Sequence, residues 1–366
     1  MKYWIIIALG LIGFSCKTSK NTAKSSNESL FSVREEKIDC FEAGLKADTS
    51  LIYCETSGVV FYNGKLYLAA DKSFGKLPAY QPVWVMPYKE AFPNQACTSL
   101  QNPAFKKAEK YEDFTITSDK KFILLTTAFD RYRADHVWDG YNTLLGWIAG
   151  KEDNPFIISD ENETKSSASY RTGIQKALTS DKFPDGPPYF KIEGLAALPD
   201  NKLIFGVREV GKSYADFEYV CKFVEVSYQI TPTGKISLQN DFKLTYTFLP
   251  EKTSEVSQTL GLSSIEYDTY NQRLYLLTTY ESGTEESSKT QGAYLWTLSL
   301  ADMQKQAKPQ LVRKPDGMPL HLSHKYEDLT IIDQNTIFLI ADEDRVKPEI
   351  SGKAPHQTWC AILKKK

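Results

Sequence analysis

One short pattern is written five times along this chain, and it restricts the fold more than any other feature. SGVVFYNGKLYLAAD spans 57–71, EDFTITSDKKFILLTT 112–127, EGLAALPDNKLIFGVR 193–208, SSIEYDTYNQRLYLLTT 263–279 and EDLTIIDQNTIFLIAD 327–342. Each copy opens on a small or acidic pair, runs about six strand-like residues, turns, and ends in an apolar run. The turns fall on Asn-Gly, Asp-Lys, Asp-Asn, Asn-Gln and Gln-Asn. Asn, Asp and Gly tolerate the positive φ that tight hairpins require. The repeated unit is therefore a β-hairpin. The residues after the turns, at 65, 121, 202, 273 and 336, lie 56, 81, 71 and 63 positions apart.

Further strand candidates fill the gaps: QPVWVMP (81–87), NTLLGWIAG (142–150), KFVEVSYQI (222–230), FKLTYTFL (242–249) and GAYLWTLSL (292–300). A hairpin plus two more strands, repeating at a period of roughly 40 residues or more, is the signature of a propeller blade. Apolar residues run on both faces of the hairpins, as in Phe122-Ile123-Leu124-Leu125. A blade wedged between two neighbours buries both faces. The 21 Tyr and 19 Phe suit strands. A doubly wound fold needs regular helices, and only SSASYRTGIQKAL (166–178) reads as one. The expectation is an all-β chain, a single β-propeller over 31–366 with five blades. A sixth blade within 130–190 and a pair of β-sandwiches are the alternatives. The last hairpin is followed by one strand only, HQTWCAIL (356–363). The N-terminal segment FSVREEKIDCF (31–41) can supply the missing strand and close the ring.

SGVVFYNGKLYLAADKS, YEDFTITSDKKFILLTTAFDR, KIEGLAALPDNKLIFGVRE and YEDLTIIDQNTIFLIADEDR resemble an uncharacterised bacterial propeller family. Its blades begin Glu-Gly-Leu-Ala, and one of its inner strands ends Gly-x-Arg. They also look like the esterase-like, phytase-like propellers, which share Glu-Gly-[Leu/Ile]-Ala openings. The resemblance runs in blocks across 57–345 and implies the fold, with no assigned reaction. This chain writes Glu-Asp in two blades and Ser-Gly or Ser-Ser in two others.

The N-terminus reads MKYWIIIALGLIGFSC, then KTSKNTAKSSNES. The apolar run from Tyr3 to Phe14 is short for a bilayer span, which needs about 20 residues. It fits a secretory signal over 1–15. A Cys follows at once, and the segment resembles a bacterial lipoprotein signal in which Cys16 becomes the lipidated first residue, with 16–30 as a polar tether. Gly13 stands where the usual box has Leu. An ordinary cleaved signal and a short uncleaved anchor are the other readings. Lipidation would hold the chain on a membrane without a spanning helix. Lys17 and Thr18 put no acid after the Cys. By that resemblance the expected address is the cell envelope, on the periplasmic side of the outer membrane. The net charge of −2 gives no electrostatic case for nucleic acid.

If Cys16 is acylated, Cys40, Cys54, Cys97, Cys221 and Cys360 remain, with no zinc spacing. An exported compartment permits disulfides. Ring closure would bring Cys360 near the N-terminal pair, so Cys54–Cys360 or Cys40–Cys360 is a candidate bridge. Five buried thiols are the alternative.

Counting outward from two-residue turns sets Glu193 opposite Arg208, Glu112 opposite Thr127 and Glu327 opposite Asp342. In a propeller these hairpin ends gather around one mouth of the central channel, so the three glutamates mark a ring. Glu193–Arg208 reads first as a cross-strand ion pair that pins a blade. Glu327 and Asp342 would repel each other. Protonation, Arg345, or a cation must resolve this, and hard oxygen ligands suit Ca²⁺. In LHLSHKYED, His321, His324 and Glu327 are spaced by three. That spacing suits a metal site on a helix, whereas this segment reads as a loop before a strand. The insertion DRYRADHVWDGYN (130–142) should overhang the same mouth, with Arg131, Arg133, Asp135, His136, Trp138 and Tyr141. Such side chains bind sugar or phosphate groups; a solvated loop with a packed Trp is the plainer reading.

Two function classes follow. One is a lipid-anchored propeller that binds a small molecule, glycan or protein at its mouth, through Glu193, His136, Trp138 and Arg345. The other is a hydrolase of the phosphoesterase or lactone/esterase type. There a cation on Glu327 and Asp342 polarises a substrate oxygen, Glu112 is base or ligand, and Arg131 or Arg208 holds an anion. Neither G-x-S-x-G nor a P-loop occurs. The fold alone cannot choose.

Overall fold

The computed structural model describes residues 30–366 except 48, 73–79, 90–91, 93–96, 134–135, 161–164, 251–253, 284–289, 345 and 347. Cys16 and the N-terminal signal lie outside the described residues, as do Arg345 and the side chain of His136. Five antiparallel sheets make five blades. Blade 1 runs Thr56–Tyr62, Lys65–Ala70, Val83–Pro87, Thr98–Ser99, and blade 2 Tyr111–Ile116, Phe122–Thr127, Leu144–Ile148, Phe156–Ile157. Blade 3 runs Tyr189–Leu198, Lys202–Ser213, Asp216–Ile230, and its third strand pairs with both Ile236–Leu238 and Lys243–Phe248. Blade 4 runs Gly261–Asp268, Arg273–Ser282, Thr290–Ser299, the last pairing with Gln310–Leu311 and His321–Leu322. Blade 5 runs Tyr326–Asp333, Thr336–Ala341, Gln357–Lys365. Its outer strand is the N-terminal Phe31–Asp39, in register from Phe31↔Lys365 to Asp39↔Gln357. The N-terminus therefore closes the ring, as expected from the sequence.

The inner strands follow one another around the axis in chain order, and blade 5 meets blade 1. Each gap between neighbouring blades holds its own core. Phe122 and Leu124 pack towards blade 3, with Leu195 and Phe205; Ile123 and Leu125 pack towards blade 1, with Val60 and Tyr67. This alternation is why the hairpins are apolar on both faces. The helix Tyr170–Ala177 leaves blade 2 and returns to blade 3. Its Tyr170 and Ile174 join the core between those blades. Its buried Arg171 donates to Phe129 O and Pro188 O and lies 4.1 Å over the Phe190 ring. The region 130–190 thus holds the two outer strands of blade 2 and this helix, and adds no sixth blade among the described residues.

The disulfide differs from expectation. Cys40 bonds Cys54, with Cα atoms 6.2 Å apart, and Cys360 is a buried thiol. The register gives the reason. Cys360 pairs with Glu36 inside the closing strand, whereas Cys40 lies beyond the strand end at Asp39↔Gln357. There it meets the segment that enters blade 1.

Candidate functional site

Every inner strand carries a β-bulge at the same place. Pairing skips Ser57, Glu112, Glu193, Ser263 and Glu327, each the first letter of the repeated pair. A bulge adds one residue to one strand and re-aims the side chains around it. This corrects the pairing counted from the turns. In blade 2 the count holds to Asp113↔Thr126 and fails at the next residue, where Tyr111 and not Glu112 faces Thr127. In blade 3 Lys191 pairs with Glu209 and Ile192 with Val207, so Glu193 and Arg208 are both skipped. In blade 5 Asp342 N donates to Lys325 O at 2.9 Å, so Asp342 faces Lys325 and not Glu327.

The second letters, Gly58, Asp113, Gly194, Ser264 and Asp328, lie next to the bulges on the innermost strands. These strands have no further partner on the axis side, so their edge amides need other acceptors. Asp113 Oδ2 accepts from Leu195 N at 2.8 Å, and Thr115 Oγ1 from Ala197 N at 3.0 Å. Asp328 Oδ2 accepts from Val59 N at 2.6 Å, and Thr330 Oγ1 from Phe61 N at 2.9 Å. Asp328 Oδ1 also accepts from Ser264 Oγ at 2.7 Å. The words EDFT and EDLT thus each carry a two-rung clamp onto the next blade. Asp113 and Asp328 are fully buried. Burial raises both pKa values, that of Asp328 to about 7, and a proton shared between them favours Asp113 as the protonated partner. The other axis positions are small because there is no room. A Cβ on Gly58 would meet Phe114 at 3.0 Å, and one on Gly194 would meet Ile265 at 2.9 Å.

Above this axis the three glutamates among the first letters form a charged ring with neighbouring lysines, Arg208 and aspartates. Lys191 contacts Glu193 and lies 3.4 Å from Glu112. Burial would lower the pKa of Arg208, but the charges of Glu193 and then Glu327 outweigh it and raise it, while its Nε lies 3.9 Å from Glu209 Oε1. Its Nη1 donates to Leu262 O and Ser263 Oγ at 2.8 Å and to Thr279 Oγ1 at 3.0 Å, which ties blade 3 to blade 4. Lys325 lies 2.7 Å from Glu327 and 3.7 Å from Asp344. Lys72 lies 3.0 Å from Glu55 and feels Asp71 and Asp342. Lys110 closes the circle, 3.9 Å from Glu112 and 2.5 Å from Asp130. Acids outnumber bases near blades 5 and 1. Burial, opposed by Lys72 and reinforced by Glu55, pushes Asp71 up to about 6, and burial with Asp344 and Asp71 raises Asp342.

Glu112, Glu193, Arg208, Glu327 and Asp342 therefore all lie at one mouth. The lysines went unread, although the signal was present: Lys110, Lys191 and Lys325 each stand two residues before a ring glutamate. His321 and His324 do not converge on Glu327. His321 Nε2 meets Tyr280 Oη at 3.0 Å, and His324 Nδ1 meets Glu343 Oε1 at 2.5 Å. Among the described residues no group of three His, Cys, Asp or Glu side chains is arranged to hold a metal ion.

Beside the mouth, on the same face, lies a cleft of about 800 Å³ lined by Asp130, Arg131, Trp138, Tyr141, Tyr189 and Tyr214. One wall is made of Asp130, Arg131, Trp138 and Tyr141. Asn142, wholly buried, pins it by donating from Nδ2 to both Arg131 O and Trp138 O at 2.8 Å. The other wall is the hairpin joining Lys202–Ser213 to Asp216–Ile230, whose tip carries Tyr214, 71% exposed. Arg131 bridges the walls, its guanidinium 5.6 Å from the Tyr141 ring and 5.9 Å from that of Tyr214. Tyr189 Oη donates to Glu209 Oε2 at 2.5 Å, next to the charged ring. A smaller cavity of about 310 Å³ lies at the turn end of the axis, lined by Lys120, Glu266, Tyr267 and Tyr270 among others.

No family model matches this chain, and no curated protein matches it. Several solved structures align with it over most of its length. A member of the DUF4221 family from Bacteroides vulgatus is 9% identical, covers 93% of this chain and 99% of its own, and gives a TM-score of 0.37. An N-acetylgalactosamine deacetylase from F. plautii, in complex with blood group B trisaccharide, is 9% identical, with 91% and 95% coverage and a TM-score of 0.47. A PQQ-bound aldose sugar dehydrogenase from Streptomyces coelicolor is 8% identical, with 92% and 99% coverage and a TM-score of 0.34. The fold of the present chain, a five-bladed β-propeller, is read from its own sheets.

Proposed function

We propose that this protein is an exported, lipid-anchored propeller that captures a small ligand in the cleft beside its upper mouth, without catalysis. The cleft itself carries the reading: it is open, of ligand size, and walled by Arg131, Trp138 and three tyrosines. The ring next to it carries more acids than bases, and each of its three glutamates has a lysine within 4 Å. Export is supported by the apolar run ending at Cys16 and by the Cys40–Cys54 disulfide, which belongs to an oxidising compartment. Two measurements test this. Cys16→Ser should move the protein from the membrane fraction to the soluble fraction. In a thermal-shift screen, compounds that stabilise the wild type should lose their effect on an Arg131→Ala/Trp138→Ala variant. Equal stabilisation of that variant by every hit would refute the cleft as the binding place.

The hydrolase reading asks Glu327 and Asp342 to share a cation. Here Glu327 faces Lys325 at 2.7 Å, which gives that reading less support. Metal bound by the wild type and lost in Glu327→Gln, together with lost phosphoester or ester turnover, would restore it.

A further inference from the structure

The carboxylate of Asp130 sets the chemistry of the cleft it lines. Its side chain is 1% exposed. Oδ2 is held by Lys110 at 2.5 Å and by Arg131 Nη1 at 3.2 Å. Oδ1 has no hydrogen-bond partner among the described residues. Burial would raise its pKa, but Lys110 outweighs this and lowers it, so the group stays ionised. A buried, ionised oxygen with no donor costs more than an ordinary unmade hydrogen bond. Asp130 lines the cleft, so the missing donor can come from a ligand there.

The neighbours restrict which donor fits. A second cation would meet Lys110 and Arg131, already on the same carboxylate, and would be repelled. An anion would find Arg131 and Lys212 in the lining but would also meet the Asp130 carboxylate. A neutral O–H donor satisfies Oδ1 without either penalty. Around it stand flat aromatic surfaces, Trp138 and the exposed Tyr214, with Tyr141 and Tyr189. Neutral molecules that offer both hydroxyl donors and flat C–H faces are carbohydrates. Arg131, fixed by Asp130 and its two tyrosine rings, has further N–H donors for a hydroxyl or ring oxygen.

We infer that the upper-face cleft is a carbohydrate site, in which Asp130 Oδ1 accepts from a sugar hydroxyl and Tyr214 and Trp138 pack on the sugar's C–H face. This rests on the ligand-binding reading above and specifies its ligand. The full-length protein, solubilised in a detergent without a sugar head group, should be applied to an array of neutral oligosaccharides. Hits should then be titrated by tryptophan fluorescence. Asp130→Asn should weaken a hit by roughly tenfold, because the acceptor loses its charge. Tyr214→Ala should weaken it by roughly three- to tenfold. Tyr214 is exposed, so its variant keeps the test decisive should Asp130→Asn misfold. A sugar that binds both variants as it binds the wild type would overturn the site. If no sugar binds, while non-sugar ligands still bind the wild type and fail on Arg131→Ala/Trp138→Ala, the carbohydrate inference falls and the ligand-binding reading stands. If nothing binds the cleft, both fall.

Discussion

Replacing Asp328 by Ala should destabilise the whole ring. The carboxylate accepts from Val59 N at 2.6 Å, Leu329 N at 2.6 Å, Ser264 Oγ at 2.7 Å and Phe114 N at 3.5 Å. Those donors come from blades 1, 2, 4 and 5. Leu329 N is local, the Phe114 contact is long, and the Ser264 hydroxyl can turn. Val59 N–H cannot turn, and it lies on an inner edge with no strand beyond it. One firm orphan and one partial orphan, at about 1–3 kcal/mol each, put the loss at roughly 2–5 kcal/mol. Thr330→Ala removes only the acceptor of Phe61 N and should cost roughly 1–2 kcal/mol. The pH dependence gives a second readout. Burial raises the folded pKa of Asp328 to about 7, above the ordinary carboxylate value. The folded state therefore holds more protons than the unfolded state between about pH 4 and pH 7, and stability from this pair falls as pH rises through that window. Asp328→Ala should flatten that slope, so its cost is larger at pH 5 than at pH 8. Urea unfolding followed by tryptophan fluorescence at both pH values checks this. A loss under about 0.5 kcal/mol at pH 5, within the range of an ordinary surface change, would refute the clamp.

Two further outcomes are expected. Lys191→Met leaves Glu112 and Glu193 buried without their shared ammonium and should cost roughly 3–5 kcal/mol in the same unfolding assay, with Lys191→Arg far milder. Cys40 and Cys54 are 14 residues apart, so reducing their bond should cost roughly 3 kcal/mol, while the buried thiols of Cys221 and Cys360 resist alkylation until the protein unfolds.

The blades were legible because two independent periodicities, strand alternation and turn spacing, agree at every copy of the hairpin. Ring closure was legible because the last blade lacked a strand and the N-terminus had one to spare. The glutamates were placed at the right mouth and given the wrong partners. A bulge adds a single residue without changing the apolar pattern on either side of it, so no count from the turn can see it. The cleft was half legible. Arg131 and Trp138 sit on an insertion next to a hairpin end. Tyr189 and Tyr214 come from a different blade, and reach the cleft only because the hairpin around Tyr214 runs past the ring. That height depends on how many residues of Lys202–Ser213 stay paired, which local sequence does not state.

The departures from a uniform Glu-Gly opening now have a cause. Five strands meet at the axis, and each places one residue there, at the position after the bulge. Two of those positions hold carboxyls whose pKa values burial raises, and Ser264 hydrogen-bonds to one of them. The remaining two are glycines hemmed in by Phe114 and Ile265 of the neighbouring blades. A third aspartate at Gly58 or Gly194 would collide with those side chains and add a buried charge with no base beside it. A glycine in place of Asp113 or Asp328 would leave edge amides without acceptors. Glu-Asp, Glu-Gly and the serine pairs are therefore different answers to different positions on one ring: the first letter is set by the charge balance of the mouth, the second by the space and the hydrogen bonds left at the axis.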